Sequence, residues 1–492
     1  MYALIRKILC RRAEAFYRRV AHSEQEQQRL FQRMLPLAAP SAWGAFYSLS
    51  PTMSYADFQQ AIPVTDYDGL YPWIERTLQG EADVLRKGNI RLFAQSSGTS
   101  SRRSKFLPVT TDGMQENHIR AATDLTAAYY FSTPGAKLLP GKLMSVGGSY
   151  QVNPQTGIIS GDISALITLN TPWYIRTFRK PPLAVAQLSH WEEKLEAYAE
   201  ALIGEDIRTI AGVPSWTYLI LQQVLLRSGK KTIQEVWPRI ELFFHGGVSY
   251  GPYREKFRTL MGKDIATRNC YNASEGFFAF QPDEQPGMLL LTHHGVFYEF
   301  ISFADYQQQQ YQAIPLAEVE LHCDYVLVIS TLSGIYRYMP GDVLRFISRR
   351  PYRLELSGRT RSCLNLFGEE VMEHQLDAAI GEACRQTGAM LHDYTIVAEL
   401  FANGRGRHCW YIEFDRQPTR LDVFRTILDK ELAEKNADYQ VKRSGSLLLQ
   451  QPGIEVLQAG AVYRWFESRG KLGGQHKLPR VMGAEEAKGL MV

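Results

Sequence analysis

Apolar residues recur at helical spacing through the first 35 residues, with Leu4, Ile5, Ile8, Leu9 and Phe16 predicted to face inward and Arg6, Lys7, Arg11, Arg12, Arg18 and Arg19 outward. Pro36, Pro40 and Pro51 interrupt that spacing and predict a loop-rich segment. Two short β-favouring runs follow, Ile90–Ala94 and Phe106–Val109, so the polar tract between them is predicted to join two strands. Thr111 and Asp112 suit a helix cap, and a helix is expected from Gly113 to Tyr130. Between 190 and 280 the pattern alternates. Helix Trp191–Ile203, strand Ile207–Ala211, helix Ser215–Leu226, strand Ile240–Phe244, helix Tyr253–Leu260 and a strand leading to Tyr271 succeed one another. Strands separated by helices of this length predict parallel βαβ units.

In such sheets ligands sit at the loops leaving the carboxyl ends of strands. Here those loops are the Gly246-Gly247 turn and the segment after Cys270. From 288 to 357 the chain becomes β-rich, and beyond 362 a small α+β unit is predicted, with helices over 370–387 and 421–435 around two strands. The expected fold class is α/β, with a large N-terminal domain over 1–362 and a small C-terminal α+β domain over 363–492.

Composition narrows the class of protein. A length of 492 residues exceeds one comfortable core, and an apolar fraction of 45% is ample for two or three. Fifty-five basic against 51 acidic residues leave a formal charge of +4, too small to argue for a nucleic-acid partner. The six cysteines are scattered with no metal-ligand spacing, as in a reduced, cytoplasmic protein. No apolar run is long enough to span a membrane, and Arg6 and Lys7 break the continuity a signal peptide needs. The basic face of the first helix leaves contact with a membrane surface open.

Four polar clusters carry candidate chemistry. Ser96, Ser97, Gly98, Thr99 and Ser100, with Lys105 beyond, combine hydroxyls, flexible backbone N–H groups and a basic endpoint, which suits a polyphosphate; a solvated turn has the same composition. Tyr271, Asn272, Ala273, Ser274 and Glu275 directly follow a strand. Glu275 is able to hold a divalent metal beside phosphates and Tyr271 to face a base, or the segment is a plain turn with a solvated Glu. Tyr336-Arg337-Tyr338 runs into Gly341-Asp342, a turn whose carboxylate either accepts ribose hydroxyls or merely shapes a hairpin. Gln475-His476-Lys477-Leu478-Pro479-Arg480 is a basic segment that either reaches a phosphate through Lys477 or frays as a tail. His293-His294 reads as turn sequence between strands.

Taken in order, Ser96-Ser97-Gly98-Thr99-Ser100 with Lys105 and Pro108, Tyr271 to Gly276, Tyr336 to Asp342 and Gln475 to Arg480 resemble the GH3 family of acyl acid amido synthetases, within the adenylate-forming enzymes. The resemblance implies activation of a carboxylic acid with ATP and Mg²⁺ to an acyl-adenylate. Displacement of AMP by an amine, commonly an amino acid, then gives an amide. It implies phosphate contacts at 96–100, Glu275 beside nucleotide and metal, and Asp342 on the ribose with Tyr338 near. It further implies Lys477 at the α-phosphate and a small domain that swings between half-reactions. Lys105, Gly246, Gly247, Tyr271, Asn272, Ala273, Ser274 and Arg359 complete the expected nucleotide set. Arg120, Val213, Trp216 and His245 are candidates for the acid pocket.

The chain departs from the family at Arg102 and Arg103, where glycine is usual, at Asn272, and at Glu369-Glu370, where a lysine is usual in plants. Two rivals stand beside the amide ligase. One is adenylation followed by a thioester to CoA or an acyl carrier, and the other is a nucleotide-binding or membrane-peripheral protein with catalysis lost.

Overall fold

A computed structural model describes residues 2–96, 105–188, 190–360, 363–402, 404–444, 448–472 and 476–491. The chain forms two compact units. The first comprises Met1–Gly212, Trp237–Gly247 and Ile265–Glu355, and the second Val213–Val236, Val248–Asp264 and Leu356–Val492.

The first unit is built on a long mixed sheet. Strands Ala266–Asn272, Leu242–Gly246, Ile207–Gly212, Lys142–Ser145 and Arg179–Lys180 pair in that order, all parallel. Beyond Ala266–Asn272 the sheet turns antiparallel through Phe277–Phe280 and Met288–Leu290, and reaches Tyr352–Arg359, Asp342–Arg349, Asp324–Thr331 and Val296–Ser302. A second sheet carries the hairpin Leu92–Ser96 and Lys105–Val109, with Ile159–Gly161 parallel to the first of these strands. The strands Lys142–Ser145, Tyr150–Val152, Ile159–Gly161 and Arg179–Lys180 escaped the sequence reading, because two to four residues are too few to show a period of two.

Two sequence expectations change at the N-terminus. The predicted single helix is two, Tyr2–Val20 and Ser23–Ala38, and the second runs through Pro36 because Met34, Leu35 and Ala38 bury on the protein side of its last turn. Three further helices, Ala42–Phe46, Tyr55–Ala61 and Tyr67–Leu78, occupy the stretch expected to be loop-rich. In the first helix Ala13, Phe16 and Val20 are buried, whereas Leu4 and Ile8 are 62% and 57% exposed. At about 100° per residue, Ile8 and Leu4 lie roughly 80° and 120° round the helix from Phe16, off the packed stripe. Phe16 and Val20 join Leu125, Ala128, Phe280, Leu289 and Leu291 in one apolar cluster.

The second unit packs helices Glu373–Thr387 and Leu421–Lys435 against a three-stranded sheet of Met390–Leu400, Gly406–Arg416 and Gly453–Val456. Its core includes Leu376, Ile380, Tyr394, Ile396, Trp410, Ile412, Phe424 and Leu428. Pro214–Ser228 and Arg254–Met261 belong to it as well, so it holds more than the segment after 362.

Candidate adenylation site

The carboxyl ends of the parallel strands bring several predicted residues into one row. Gly246 closes Leu242–Gly246, and an added Cβ there would lie 2.2 Å from the carbonyl oxygen of Cys270 on the next strand, so this close approach requires glycine. Gly247 follows with φ +86°, a left-handed conformation that again favours glycine. His245, ahead of them, is buried beside Phe243.

The neighbouring strand Ala266–Asn272 turns back on Phe277–Phe280 through Ala273–Gly276, with Ala273 N–H donating to Gly276 O at 2.9 Å. Tyr271 and Asn272 therefore end one strand, and Ser274 and half-buried Glu275 sit in the turn. Tyr271 donates its hydroxyl hydrogen to Asp342 Oδ2 at 2.6 Å, joining two motifs 71 positions apart. Asp342 opens the strand Asp342–Arg349 and is buried.

The segment ahead of Asp342 is clamped from both sides. Tyr338 and Ile329 exchange backbone hydrogen bonds at 2.9 Å, while Thr65 N–H donates to Arg337 O and Met339 N–H to Thr65 O. Arg337 sits at φ +46° and is held by Glu299 at 3.1 Å, and Tyr336 stacks on Trp43 at 4.2 Å. Tyr338 is thus fixed in position by its backbone.

Ser96 and Lys105 face each other as the last paired residues of the hairpin. Tyr67 takes the Phe106 N–H at 2.8 Å and lies under the Lys105 ammonium. Ser97, Gly98, Thr99, Ser100, Arg102 and Arg103 lie outside the described residues.

Sequence reasoning missed Asn117 and His118. Both lie in a π-helical turn, Met114–Ile119, within the helix expected over 113–130. Asn117 donates to Phe277 O and His294 O and accepts from Phe277 N–H at 2.6 Å, anchoring the Glu275 turn. His118 bonds Asn272, and burial lowers its pKa to about 4. The widened turn is what aims both side chains one way, and no residue pattern announces it.

His293 and His294 do form a turn between strands, but a buried one. Donor atoms of Asp124, His293 and His294 lie within 4.8 Å of one another. Asp124 is already held by Arg12 at 2.5 Å and His294 at 2.9 Å, with Arg120 at 3.8 Å. Two guanidiniums neutralise the single carboxylate, an environment that repels a metal cation. Arg120 accordingly sits among Arg12, Arg19 and Asp124.

In the second unit the C-terminal motif is anchored rather than frayed. Arg480 donates to Asp393 at 2.5 Å and to Tyr394 O at 2.9 Å, lies 3.3 Å from Asp377, and covers the Tyr394 ring. Ile396 and the segment pair through Ile396 N–H to Arg480 O and Met482 N–H to Ile396 O. Trp216, expected at the acid pocket, donates its indole N–H to His476 O at 2.8 Å, next to Lys477. Val213 caps the same helix. Lys477, Arg359 and Arg480 all bear on the buried carboxyl of Glu373, whose pKa burial raises and these cations lower. Glu369, where plants carry lysine nearby, accepts from Leu366 N–H, Phe367 N–H and His408, a role inside the unit's own core.

The GH3 family N-terminal domain matches residues 12–265, the family's central domain 289–359 and its C-terminal domain 374–486. The chain belongs to the GH3 family. Among curated GH3 relatives, a probable indole-3-acetic acid-amido synthetase of Oryza sativa subsp. japonica is 24% identical over 94% of this chain and 87% of its own length. A jasmonoyl–L-amino acid synthetase from the same plant is 27% identical over 95% and 93%. The fold matches the solved GH3.15 acyl acid amido synthetase in complex with 2,4-DB at a TM-score of 0.78, with 18% identity over 97% of this chain and 95% of that one. A 2-hydroxyisobutyryl-CoA ligase shares the fold at 0.61, with 13% identity over 96% and 90%. Among the described residues no helix is long and apolar enough to cross a membrane.

Proposed function

We propose that this GH3 protein activates a small-molecule carboxylic acid with ATP and transfers the acyl group to an amine, commonly an amino acid. The observation that carries the proposal is the Tyr271–Asp342 contact: a buried carboxylate held at the strand-end row by the residue that leads into the Glu275 turn. Such a carboxylate accepts the paired hydroxyls of a ribose, and Tyr338 is fixed beside its strand. Ser96 and Lys105 open toward the phosphates, with Ser97 to Ser100 as the proposed clamp. The family names of the relatives support the amide product.

Glu275 fits a hard cation that takes its remaining ligands from phosphate and water, as Mg²⁺ does. When bound, Mg²⁺ supplies neutralising charge between phosphate oxygens. In the first step an oxygen of the acid bonds to the α-phosphorus and pyrophosphate leaves with the bond's electron pair. Two anions meet in that step, and Lys477 is the proposed ammonium that offsets them. In the second step the amine nitrogen bonds to the acyl carbon, AMP leaves as its anion, and the amine releases a proton. The region 363–492 is the proposed mobile domain, with Arg359 ahead of it. Its six free cysteines support a cytoplasmic setting.

Acid-dependent pyrophosphate release over a panel of carboxylic acids tests this reading. Release by the wild type is expected, falling about 100-fold or more in Lys477→Ala. Products are then identified with amino acids and with CoA supplied separately. An amide sustains the proposal and a thioester replaces it with the CoA reading. Absence of release with every acid points to a nucleotide-binding protein without catalysis.

A further inference from the structure

Six buried arginines in this chain share one habit. Arg86, Arg208, Arg268, Arg337, Arg353 and Arg480 each pair with a carboxylate: Asp112, Asp206, Glu284, Glu299, Asp283 and Asp393 respectively. Arg179 does not. Its terminal nitrogens donate to Thr171 Oγ1 at 3.3 Å and Ser145 Oγ at 3.2 Å, and its Nε is buried with no partner. Among the described residues no carboxylate forms an ion pair with it.

Arg179 starts the two-residue strand beside Lys142–Ser145, at the end of the parallel row. Past Ser145 the chain makes the loop Val146-Gly147-Gly148-Ser149, which the nucleotide reading does not use. Tyr198 takes the Gly147 N–H at 3.2 Å and reaches Ser145 O, and Ser164 takes the Gly148 N–H at 3.0 Å. Asp162 lies so close under the loop that a Cβ on Gly148 would fall 1.4 Å from its Oδ2. Lys194, buried, faces Asp162 and sits 6.0 Å from the Tyr198 ring. Two cations and one carboxylate leave this enclosed cluster with an excess positive charge.

Such an excess is costly when buried, and a bound anion relieves it. Burial lowers Arg179 to about 10 and Lys194 to about 8, and raises Asp162 to about 6. Neighbouring strands are spaced by about 4.8 Å, so Ser145 ends roughly 10 Å along the row from Gly246. That is about the reach of an amino acid whose amine addresses an acyl-adenylate at Gly246 and whose carboxylate points away along the edge.

We infer that Arg179, supported by Lys194 and the Gly147-Gly148 loop, binds the α-carboxylate of the amino-acid acceptor. The inference rests on the amide-forming reading above and adds the recognition of its second substrate.

The test separates the half-reactions. Acid-dependent ATP–pyrophosphate exchange needs no acceptor, and amide formation is compared for each amino acid and the amine lacking only its carboxyl, such as phenylalanine against phenethylamine. In Arg179→Gln the KM for the amino acid is expected to rise about 10- to 100-fold, as loss of a charged hydrogen bond implies. The carboxyl-free amine and the exchange reaction should shift by less than about threefold, a split that a general folding defect does not produce. Arg179→Lys should restore part of the affinity, and Lys194→Met should act in the same direction should Arg179→Gln fail to fold.

Equal losses for amino acid and plain amine would overturn the inference, assigning Arg179 a structural role. A raised KM for the acid in exchange would overturn it too, placing the acid's own carboxylate there. Unchanged acceptor kinetics do the same. No exchange in the wild type, or a thioester as sole product, would instead sink the underlying reading and take the inference with it.

Discussion

At the scale of single residues, the Tyr271–Asp342 pair is the most direct handle on nucleotide binding. Asp342→Asn retains an acceptor for the Tyr271 hydroxyl at 2.6 Å but removes the charge offered to a ribose. The KM for ATP in pyrophosphate exchange is expected to rise about 10- to 100-fold, with the melting temperature nearly unchanged. A variant that melts much lower with normal KM would show the carboxylate to be structural. These residues were legible in the sequence because turn chemistry and strand ends are local: Gly341-Asp342 and the polar run after Cys270 announce themselves. Asn117 was not, since its bonds to Phe277 and His294 span 160 and 177 positions and depend on a π-helical turn.

Among elements, the C-terminal segment shows how far local reading goes. Its basic, glycine-rich composition is shared by frayed tails and by ordered arms, and only the tertiary partners of Arg480 separate them. Arg480→Met would leave Asp377 and Asp393 buried without their cation. A destabilisation of about 3–5 kcal/mol is expected in urea unfolding of the second unit, because the surviving charges stay desolvated. A change below about 1 kcal/mol would mean that the segment contributes no more than a surface ion pair does. The helix Leu421–Lys435 matched its expected bounds, since a long amphipathic period and the closing Asn436 are both local signals. The first helix matched only in part. Period alone marks Leu4 and Ile8 as apolar, but the angular position of Phe16 decides which residues the core receives.

Over the whole molecule, buried histidines set the response to acid. His118 has a folded pKa of about 4 against 6.5 in the unfolded chain, so its stability contribution is complete above pH 6.5 and is lost as pH falls toward 4. That loss amounts to about 3 kcal/mol. Asp162 runs the other way. Raised from 3.8 to about 6, it favours folding as pH drops through 6, by a similar amount. The two nearly cancel, which leaves His293 and His294, both lowered chiefly by burial, to decide the sign. The first unit should therefore melt lower at pH 4.5 than at pH 7, and His118→Gln should flatten that slope in a calorimetric series. A unit more stable at pH 4.5 would show that Asp162 outweighs the histidines.

Fold class was readable from the alternation over 190–280, yet the division into units was not, because helices at 214–228 and 254–261 carry no mark of the partner they pack with. The chain crosses from one unit to the other at five points. Genetic dissection inherits that interleaving. A fragment beginning at 356 would leave behind Trp216, which bonds the backbone beside Lys477, and Tyr253, which lies against Arg480. Neither unit is a transferable cassette, and swapping acceptor or acid preference between relatives by exchanging their C-terminal thirds would separate Lys477 from the residues that hold it.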